Sequence, residues 1–441
     1  MNKYYRITTT TFFILICFQI KSQNLYFPPV SNAANWETTS PASLGWCVGK
    51  IDTLYRFLES ENTKGFIVLK DGKIVLEKYF GTFTQDSIWY WASAGKTMTA
   101  FLVGQAQESG LLKVSDLSSK YLGKGWTKCT PAQEDKITVR HQLTMTTGLD
   151  DGVPDNHCLI DTCLKFKADA GKRWAYHNAP YTLLEKVLTS ASGQPINTFT
   201  QQKLKNQTGI TGSWFTLDYD NVYFSRVRSM ARFGLLIQNK GIWNKDTLLR
   251  DGEYFKQMTT TSQNINLSYG YLWWLNGKPS YMVPTLQTVF PGSYAPSAPA
   301  DMYSGLGKNG QIVSISPSKG IVIVRMGDRP NSAASEIATI LCNQIWQKLN
   351  DIMCTTTSTV EVQNVPINVN VYPNPTGAFL KINEDSEIIK SAEIISPDGR
   401  LISKGPINGQ TIDVSGLSPG VYFLRLLSIE NKFTTSKFVK Q

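Results

Sequence analysis

Residues 89–97 read Trp-Tyr-Trp-Ala-Ser-Ala-Gly-Lys-Thr, and an apolar run begins directly after them at Met98. The run predicts a helix extending to about Gly110, with Ser93 and Lys96 one turn apart on the same face. Serine is a poor nucleophile without a neighbouring base, and a lysine in a mostly apolar site can lose its proton and become that base. Unpaired N–H groups at the helix start would stabilise an oxyanion. The stretch therefore predicts a serine nucleophile, Ser93, with Lys96 beside it as the base.

The same Ser-x-x-Lys spacing occurs a second time, at residues 316–319. Pro317 lies inside this copy, Gly320 follows it, and β-like runs flank it on both sides. Such a segment is a turn and cannot present both groups from a helix. The spacing alone is a weak motif, and the context favours Ser93.

Tyr176 and Asn178 lie just before an apolar helical pattern that begins at Tyr181. Loops at helix entrances often hold functional polar groups. The Tyr-x-Asn spacing also occurs at residues 219–221, in a polar loop, and at residues 372–374, in a proline-containing turn. Only the copy at Tyr176 has the setting expected of a site.

A glycine-rich edge covers residues 303–311, Tyr-Ser-Gly-Leu-Gly-Lys-Asn-Gly-Gln, and leads into a hairpin at residues 312–324. Glycine lets a substrate approach the backbone closely, so this edge is a candidate binding surface. A flexible loop is the alternative interpretation.

The composition is that of a globular protein, with 441 residues, 41% hydrophobic and 18% charged. This length allows two or three domains. The net charge is +10, without a dense run of Lys and Arg. A nucleic-acid partner therefore has little support.

Residues 1–23 are predicted to be a secretory signal peptide, with a basic start, an apolar stretch at residues 11–18 and a small residue, Ser22, at the cleavage point. The apolar stretch is too short to span a membrane, and no other stretch is long and apolar enough to do so. We therefore expect an exported chain without a stable membrane span.

Removal of the signal peptide leaves six cysteines, an even number that favours disulfides in an exported chain. Cys158 and Cys163 are close enough in sequence to close one loop, and we expect them to pair. The remaining four can pair in three ways, and the sequence does not choose among them: Cys47, Cys129, Cys342 and Cys354. A cysteine nucleophile would need a histidine partner, and the three histidines show neither that pattern nor metal-ligand spacing. We expect no metal and no cofactor.

Further elements follow from hydrophobic periodicity. We expect helices over residues 51–59, 225–240 and 333–349, a short helix at 137–145 that contains His141 as an ordinary helix residue, and a hairpin with an Asp-Gly turn at 65–76. The aromatic stretch 269–274 predicts a strand that serves either the core or a pocket wall.

The composition changes after residue 353. Residues 354–368 are polar and predict a linker, and residues 369–441 contain short strands separated by Gly, Pro and Asp turns. This pattern predicts a small, separate C-terminal β-sandwich.

Three motifs in this order resemble the serine β-lactamase and penicillin-binding protein superfamily: Ser93–Lys96, Tyr176–Asn178 and the glycine-rich edge. The nearest resemblance is to its class C-like branch, which includes esterases and amide hydrolases, and it covers about residues 45–350. The resemblance implies an α/β (α+β) fold, in which helices flank an antiparallel sheet and a helical subdomain is inserted. We expect this domain to occupy residues 24–353.

The resemblance also implies roles for the residues. Ser93 would become acylated, Lys96 and Tyr176 would share proton transfer, and Asn178 would orient the substrate. The backbone of Ser93 and of a residue near Lys308 would form the oxyanion hole. Candidate substrate-binding residues at the third motif are Ser304, Gly305, Gly307 and Lys308.

The third motif departs from the Lys-Thr/Ser-Gly form of penicillin-recognising members, because Tyr303-Ser304-Gly305 stands in its place. The cation that meets a β-lactam carboxylate is missing from its usual position, although Lys308 could replace it. We therefore expect a serine hydrolase acting on a small-molecule or peptide-like ester or amide. The alternatives are a β-lactamase or D,D-peptidase, and a non-catalytic surface binding protein of the same fold.

Residues 369–441 resemble the sorting domain of type IX secretion, on Val371-Tyr372-Pro373-Asn374-Pro375, residues 416–423 and the closing Lys437–Lys440. This resemblance implies that the secretion machinery is a partner of the C-terminal domain. It also implies passage through the periplasm to the cell surface or the medium.

Overall fold

The computed structural model describes residues 25–31, 36–332, 337–354, 371–382, 389–396, 401–406, 411–428 and 433–441. The chain divides into a first unit, Met1–Cys354, and a second unit, Thr355–Gln441. The expected signal peptide (1–23) lies outside the described residues, as does the expected linker (354–368) except for Cys354.

The first unit combines helices with short and long strands. Its helices are α1 (Ile51–Ser60), α2 (Lys96–Glu108), α3 (Ser119–Leu122), α4 (Pro131–Glu134), α5 (Val139–Leu143), α6 (Asn178–Thr182), α7 (Leu184–Ser192), α8 (Ile196–Thr200), α9 (Asn206–Thr208), α10 (Val227–Gln238), α11 (Gly252–Met258) and α12 (Thr339–Met353). Its strands are β1 (Thr63–Lys70), β2 (Lys73–Tyr79), β3 (Trp89–Tyr90), β4 (Ser213–Leu217), β5 (Asp220–Ser225), β6 (Ile242–Trp243), β7 (Asp246–Thr247), β8 (Trp274–Leu275), β9 (Ser280–Tyr281), β10 (Phe290–Pro291), β11 (Tyr303–Gly307), β12 (Gln311–Ser316) and β13 (Ile321–Gly327).

A six-stranded antiparallel sheet, in the order β2-β1-β13-β12-β11-β8, forms the centre of this unit. Its strands come from the two ends of the unit, and the helical segments α2–α11 lie between them in the chain. The expected antiparallel sheet with flanking helices and an inserted helical region is confirmed.

Helices cover both faces of the sheet. On one face, α10 packs so closely that a Cβ at Gly234 would lie 2.5 Å from Val322. On the other, the indole of Trp346 in α12 donates a hydrogen bond to Ser314 Oγ at 3.1 Å. Because neither face meets water, β12 and β13 are buried along their whole length.

The sequence predicted α1, α5, α10 and the first hairpin closely, whereas two other elements differ. Residues 269–274 were expected to form a strand, yet only Trp274 belongs to one, because Leu272 adopts a left-handed backbone with φ 61°. Their aromatic side chains are buried and serve the core. The last helix spans Thr339–Met353, whereas residues 333–349 were expected; residues 333–336 of that expectation lie outside the described residues.

Two disulfides lie in the first unit. Cys158 pairs with Cys163, with Cα atoms 6.0 Å apart, and Cys47 pairs with Cys354 across a sequence separation of 307. Cys129 and Cys342 are free thiols. Burial raises the pKa of the Cys342 thiol to about 12, so this group is an inert part of the core.

The second unit consists of two antiparallel sheets, β14-β15-β18 and β17-β16-β19-β20. Side chains from both sheets meet in one core that includes Leu380, Ile394 and Leu424. The expected C-terminal β-sandwich is therefore confirmed. Its strands are β14 (Val371–Tyr372), β15 (Phe379–Ile382), β16 (Ile389–Ile395), β17 (Leu401–Pro406), β18 (Thr411–Asp413), β19 (Gly420–Ser428) and β20 (Phe433–Lys440).

Among the helices of the described ranges, none combines the length and the apolar character needed to cross a bilayer.

Candidate active site

Ser93 lies in a single 3₁₀ turn, Ala92–Gly95, that runs directly into α2. The turn keeps Ser93 and Lys96 three residues apart on one side, as the sequence predicts for a helix. Ala92 enters it with φ 46°, a left-handed conformation that is costly for a residue with a side chain. Trp91 anchors the turn, since its indole donates to Ser225 Oγ at 2.7 Å.

The glycines of the third motif make room for this turn. A Cβ at Gly307 would lie 2.6 Å from Trp91 O and 3.1 Å from Ser93 N, and a Cβ at Gly305 would lie 2.9 Å from the Thr97 side chain. Strand β11 can therefore pack against the Ser93 turn only without side chains at these positions. The structure shows the glycines of β11 approaching the Ser93 turn, where the sequence suggested an approach by substrate.

Lys96 is buried with its amine next to the Ser93 hydroxyl. Its Nζ lies 2.7 Å from Ser93 Oγ and 2.9 Å from Asn178 Oδ1. Burial lowers the pKa of Lys96 to about 7, while the negative charge of Asp220 acts in the opposite direction. A large fraction of Lys96 is therefore neutral near pH 7 and able to accept a proton from Ser93.

Two tyrosines surround the Lys96 amine. The ring centre of Tyr181 lies 4.0 Å from Lys96 Nζ, and that of Tyr176 lies 5.0 Å away. Tyr176 is 6% exposed, and its ring packs against Trp274 with centres 5.8 Å apart. The sequence singled out Tyr176 but not Tyr181, which is nearer to the amine.

His157 and Asp220 extend the polar group beyond Asn178. Asn178 Nδ2 lies 3.1 Å from His157 Nε2, and His157 Nδ1 lies 2.7 Å from Asp220 Oδ1. Because Asn178 Oδ1 accepts from Lys96, its Nδ2 must donate to His157 Nε2, so His157 carries its proton on Nδ1 and donates it to Asp220. A continuous chain of hydrogen bonds thus links Ser93 to Asp220.

Sequence reasoning missed both residues. The sequence pattern indicates no role for the three histidines, and it favours Tyr176–Asn178 over the Tyr-x-Asn copy at 219–221, which contains Asp220. One usable signal was the position of His157 directly before the short Cys158–Cys163 loop, because a disulfide restrains the neighbouring backbone.

These groups face a cavity of about 270 Å³. Of the residues predicted from the sequence, four line it: Ser93, Lys96, Asn178 and Lys308. Ser304 is fully buried within the sheet, and Gly305 lies beneath the turn. The remaining wall is mostly apolar or aromatic, formed by Tyr90, Ala92, Tyr181, Leu217, Val222 and Phe224 beside His157, Asp220 and Asn221.

Within the described ranges, no group of three or more His, Cys, Asp or Glu side chains is placed to hold a metal ion. The groups that meet at Ser93 are its own hydroxyl, the Lys96 amine with its lowered pKa and the hydrogen-bonded amide of Asn178. Such a set can transfer an acyl group through the serine.

The amino-acid sequence is similar to those of known proteins. The sequence profile of the beta-lactamase family matches residues 61–340. An uncharacterised protein of Alkalihalophilus pseudofirmus is 25% identical over 297 residues, which cover 58% of this chain and 81% of that protein. A putative D-alanyl-D-alanine carboxypeptidase of Escherichia coli O157:H7 is 20% identical over 386 residues, covering 68% of this chain and 86% of the relative.

Among solved structures, a putative 6-aminohexanoate-dimer hydrolase from Bacillus anthracis has a similar fold, with a TM-score of 0.55 and 17% identity. The match covers 73% of this chain and 87% of that one. The profile of the secretion system C-terminal sorting domain matches residues 370–441. This domain is typical of type IX secretion and indicates export to the cell surface or the extracellular space.

Proposed function

The chain belongs to the beta-lactamase family, and from this premise we propose that it is a serine hydrolase that cleaves an ester or amide through an acyl-Ser93 intermediate. The observation that carries the proposal is the 2.7 Å contact between Lys96 Nζ and Ser93 Oγ, in a buried site that lowers the pKa of the lysine to about 7. A nucleophile and a base in hydrogen-bond contact are the minimum that acyl transfer requires.

The reaction begins with neutral Lys96. Its amine takes the hydroxyl proton as Ser93 Oγ bonds to the substrate carbonyl carbon, and the carbonyl oxygen becomes an oxyanion. The N–H of Ser93 and an N–H near Lys308 stabilise that charge. When the carbonyl re-forms, the bond to the leaving group breaks. The leaving group takes the proton that Lys96 holds, either directly or through Tyr176, which gives up its hydroxyl proton and receives the one from Lys96 in its place.

Water then completes the turnover. The same base removes a proton from a water molecule, which attacks the acyl-Ser93 carbonyl, and the proton returns to Ser93 Oγ as the acid departs. Lys96 and Ser93 end in their starting protonation states, so the cycle balances without a cofactor.

His157 and Asp220 act through Asn178. Their hydrogen bonds fix which end of the Asn178 side chain faces Lys96, so that an acceptor oxygen is always presented to the amine. This keeps Lys96 aimed at Ser93 and makes His157 and Asp220 positioning residues.

The apolar cavity wall and the third motif favour simple esters and amides over β-lactams. Ser304 occupies the place of the usual third-motif hydroxyl, but its side chain is fully buried. A second candidate, β-lactam or D,D-peptide hydrolysis, draws support from Lys308, which lines the cavity and supplies a cation for a substrate carboxylate.

Steady-state kinetics test the proposal. We compare 4-nitrophenyl acetate, a linear 4-nitroanilide and nitrocefin with the wild type, Ser93→Ala and the exposed control Ser115→Ala. Loss of the nucleophile should lower kcat/KM about 10³-fold or more, since only binding and oxyanion stabilisation remain. The control should match the wild type.

Two results would redirect the assignment. Nitrocefin turnover faster than ester turnover would favour the β-lactamase alternative. A fluorophosphonate that leaves Ser93 unlabelled, together with ester hydrolysis unaffected by Ser93→Ala, would favour a binding protein.

A further inference from the structure

A three-stranded antiparallel sheet, in the order β3-β5-β4, forms one wall of the cavity. Tyr90 on β3 pairs with Phe224 on β5, and Val222 on β5 pairs with Phe215 on β4. Residues paired across antiparallel strands lie on the same face, and every second residue along a strand returns to it. Tyr90, Val222, Phe224, Phe215 and Leu217 therefore share one face, which we call the apolar sheet face. Its two polar members, Ser213 and Asp220, are the first residues of β4 and β5.

The apolar sheet face is the one that faces solvent. The opposite face carries Trp214 and Tyr223, which are 4% and 0% exposed and belong to the core. A sheet with one buried face normally shows polar side chains on the other. Here Phe215 and Leu217 are 53% and 50% exposed.

Aromatic rings connect the cavity to the outer edge of the sheet. The ring centres of Tyr90 and Phe224 are 6.1 Å apart, and those of Phe224 and Phe215 are 5.5 Å apart. Ile88, just before β3, is 60% exposed and lines the same outer groove as Phe215 and Phe224. The apolar surface therefore runs without a break from the neighbourhood of Ser93 to β4.

The outer groove has a volume of about 590 Å³ and shares Leu217 and Phe224 with the cavity that contains Ser93. Its lining residues include no carboxylate and a single cation, Lys205. The Lys205 ammonium donates to Gly212 O at 2.8 Å, so it is engaged with the backbone. The groove thus favours an uncharged, apolar occupant that continues from the reacting group.

We propose that the apolar sheet face binds a long, uncharged apolar chain of the substrate hydrolysed at Ser93. The proposal rests on the proposed function and narrows its substrate to esters or amides that carry such a chain on one side of the scissile bond. Contiguous exposed apolar patches on soluble proteins mark binding sites, and this patch opens directly into the reaction cavity.

Chain-length dependence of kcat/KM provides the test. One series is 4-nitrophenyl esters from acetate to octanoate, and the other is alkyl acetates from ethyl to octyl followed by titration of the released acid, all below their aggregation concentrations. Each buried methylene contributes at most about a four-fold gain. In one of the two series, we expect kcat/KM for the eight-carbon substrate to exceed kcat/KM for the two-carbon substrate by about ten-fold or more.

The double variant Ile88→Ser with Phe215→Ser removes two exposed side chains of the outer groove. It should lower the ratio of eight-carbon to two-carbon kcat/KM about ten-fold. The matched control Ile340→Ser, at an exposed position of α12, should leave the ratio unchanged.

Each other outcome overturns the inference in a distinguishable way. If 4-nitrophenyl acetate is hydrolysed in a Ser93-dependent manner but kcat/KM depends on chain length in neither series, the inference fails and the proposed function stands. If no ester is hydrolysed and Ser93 is not labelled by a fluorophosphonate, both fail. If the double variant converts a dimer into a monomer in sedimentation without changing the ratio, the apolar sheet face is an interface between copies.

Discussion

At the scale of single residues, the proposed reaction depends on whether Lys96 carries a proton. Burial favours the neutral amine, and the carboxylate of Asp220 favours the ammonium, so the lysine pKa lies at about 7 instead of 10.5. Ser93 Oγ and Asn178 Oδ1 both lie within 3 Å of Lys96 Nζ. The amine can thus hold its position in either protonation state.

The pH profile of kcat/KM should therefore show an acid limb. Activity should fall below about pH 7, because protonated Lys96 cannot accept the Ser93 proton. In Asp220→Asn the limb should move to lower pH, since loss of the carboxylate removes a charge that stabilises the ammonium. The measurement is hydrolysis of 4-nitrophenyl acetate from pH 5 to pH 9.

Asp52→Asn, an exposed carboxylate on α1, serves as the control and should keep the wild-type midpoint. An acid limb that stays in place in Asp220→Asn would contradict the role given to that charge. The midpoint is the readout, because the variant also replaces the charged acceptor of the His157 Nδ1–H with a neutral amide oxygen and so weakens that hydrogen bond and lowers the overall rate.

The sequence could predict the residues that carry a local signal. Ser93 and Lys96 share one turn, and Asn178 stands at a helix start, so pattern and spacing reveal them. His157 reaches the site from a loop and Asp220 from the start of β5. The local sequence marks Asp220 by nothing and His157 only by its position next to the Cys158–Cys163 loop. Their role arises only from tertiary packing, which a single sequence does not display.

At the scale of the element, residues 176–178 combine two site residues with a buried histidine. His177 is 2% exposed, and neither ring nitrogen has a hydrogen-bond partner among the described residues. Burial lowers the pKa of His177 to about 4. The folded chain therefore keeps this imidazole neutral where the unfolded chain, with a pKa of about 6.5, would protonate it.

This difference makes the stability of the first unit sensitive to acid. A histidine with a lowered pKa in the folded state costs stability as pH falls through the unfolded value, and the cost grows until the folded pKa is reached. Between pH 8 and pH 5 the loss from His177 alone should be about 2 kcal/mol. His177→Phe, which cannot titrate, should flatten the dependence by that amount.

Urea unfolding at a series of pH values measures the effect, and the comparison between wild type and variant cancels the contribution of other titrating groups. An identical pH dependence in both proteins would show that His177 is not buried in its neutral form. If His177→Phe changes the free energy of unfolding equally at every pH, the change reflects packing alone.

Hydrophobic periodicity predicted the elements with a regular apolar pattern, such as the strands β1 and β2 and the helix α10. It failed at residues 269–274, where five of the six side chains are aromatic or leucine and alternation gives no information. The left-handed backbone at Leu272 ends any strand there. Alternation gives equally little information on β4 and β5, where apolar residues occupy both sides of the hairpin, and the sequence analysis therefore does not identify the apolar sheet face.

At the scale of the whole molecule, the proposed active site and the sorting domain lie in separate units of the chain. The first unit has its own core and is closed by the Cys47–Cys354 disulfide, whose second cysteine is the last residue of that unit. The second unit has a separate core and matches the sorting domain. Each unit therefore has the packing that independent folding requires.

A chain that ends at Cys354 should keep the kcat/KM of the full chain within about two-fold, because every site residue and both disulfides remain. In a bacterium with a type IX secretion system, it should stay in the periplasm while the full chain reaches the cell surface or the medium. Enzyme assays and cell fractionation measure the two effects. Release of the shortened chain would contradict the assignment of the sorting signal to residues 370–441.

The most direct test of acyl transfer is to trap the intermediate. The enzyme is mixed with a 4-nitrophenyl ester, quenched with acid during steady-state turnover, and mapped by peptide mass spectrometry. The account predicts one added acyl group on the peptide that contains Ser93, absent from Ser93→Ala and from Lys96→Met. An acyl group on another residue, or turnover by Ser93→Ala at the wild-type rate, would contradict it.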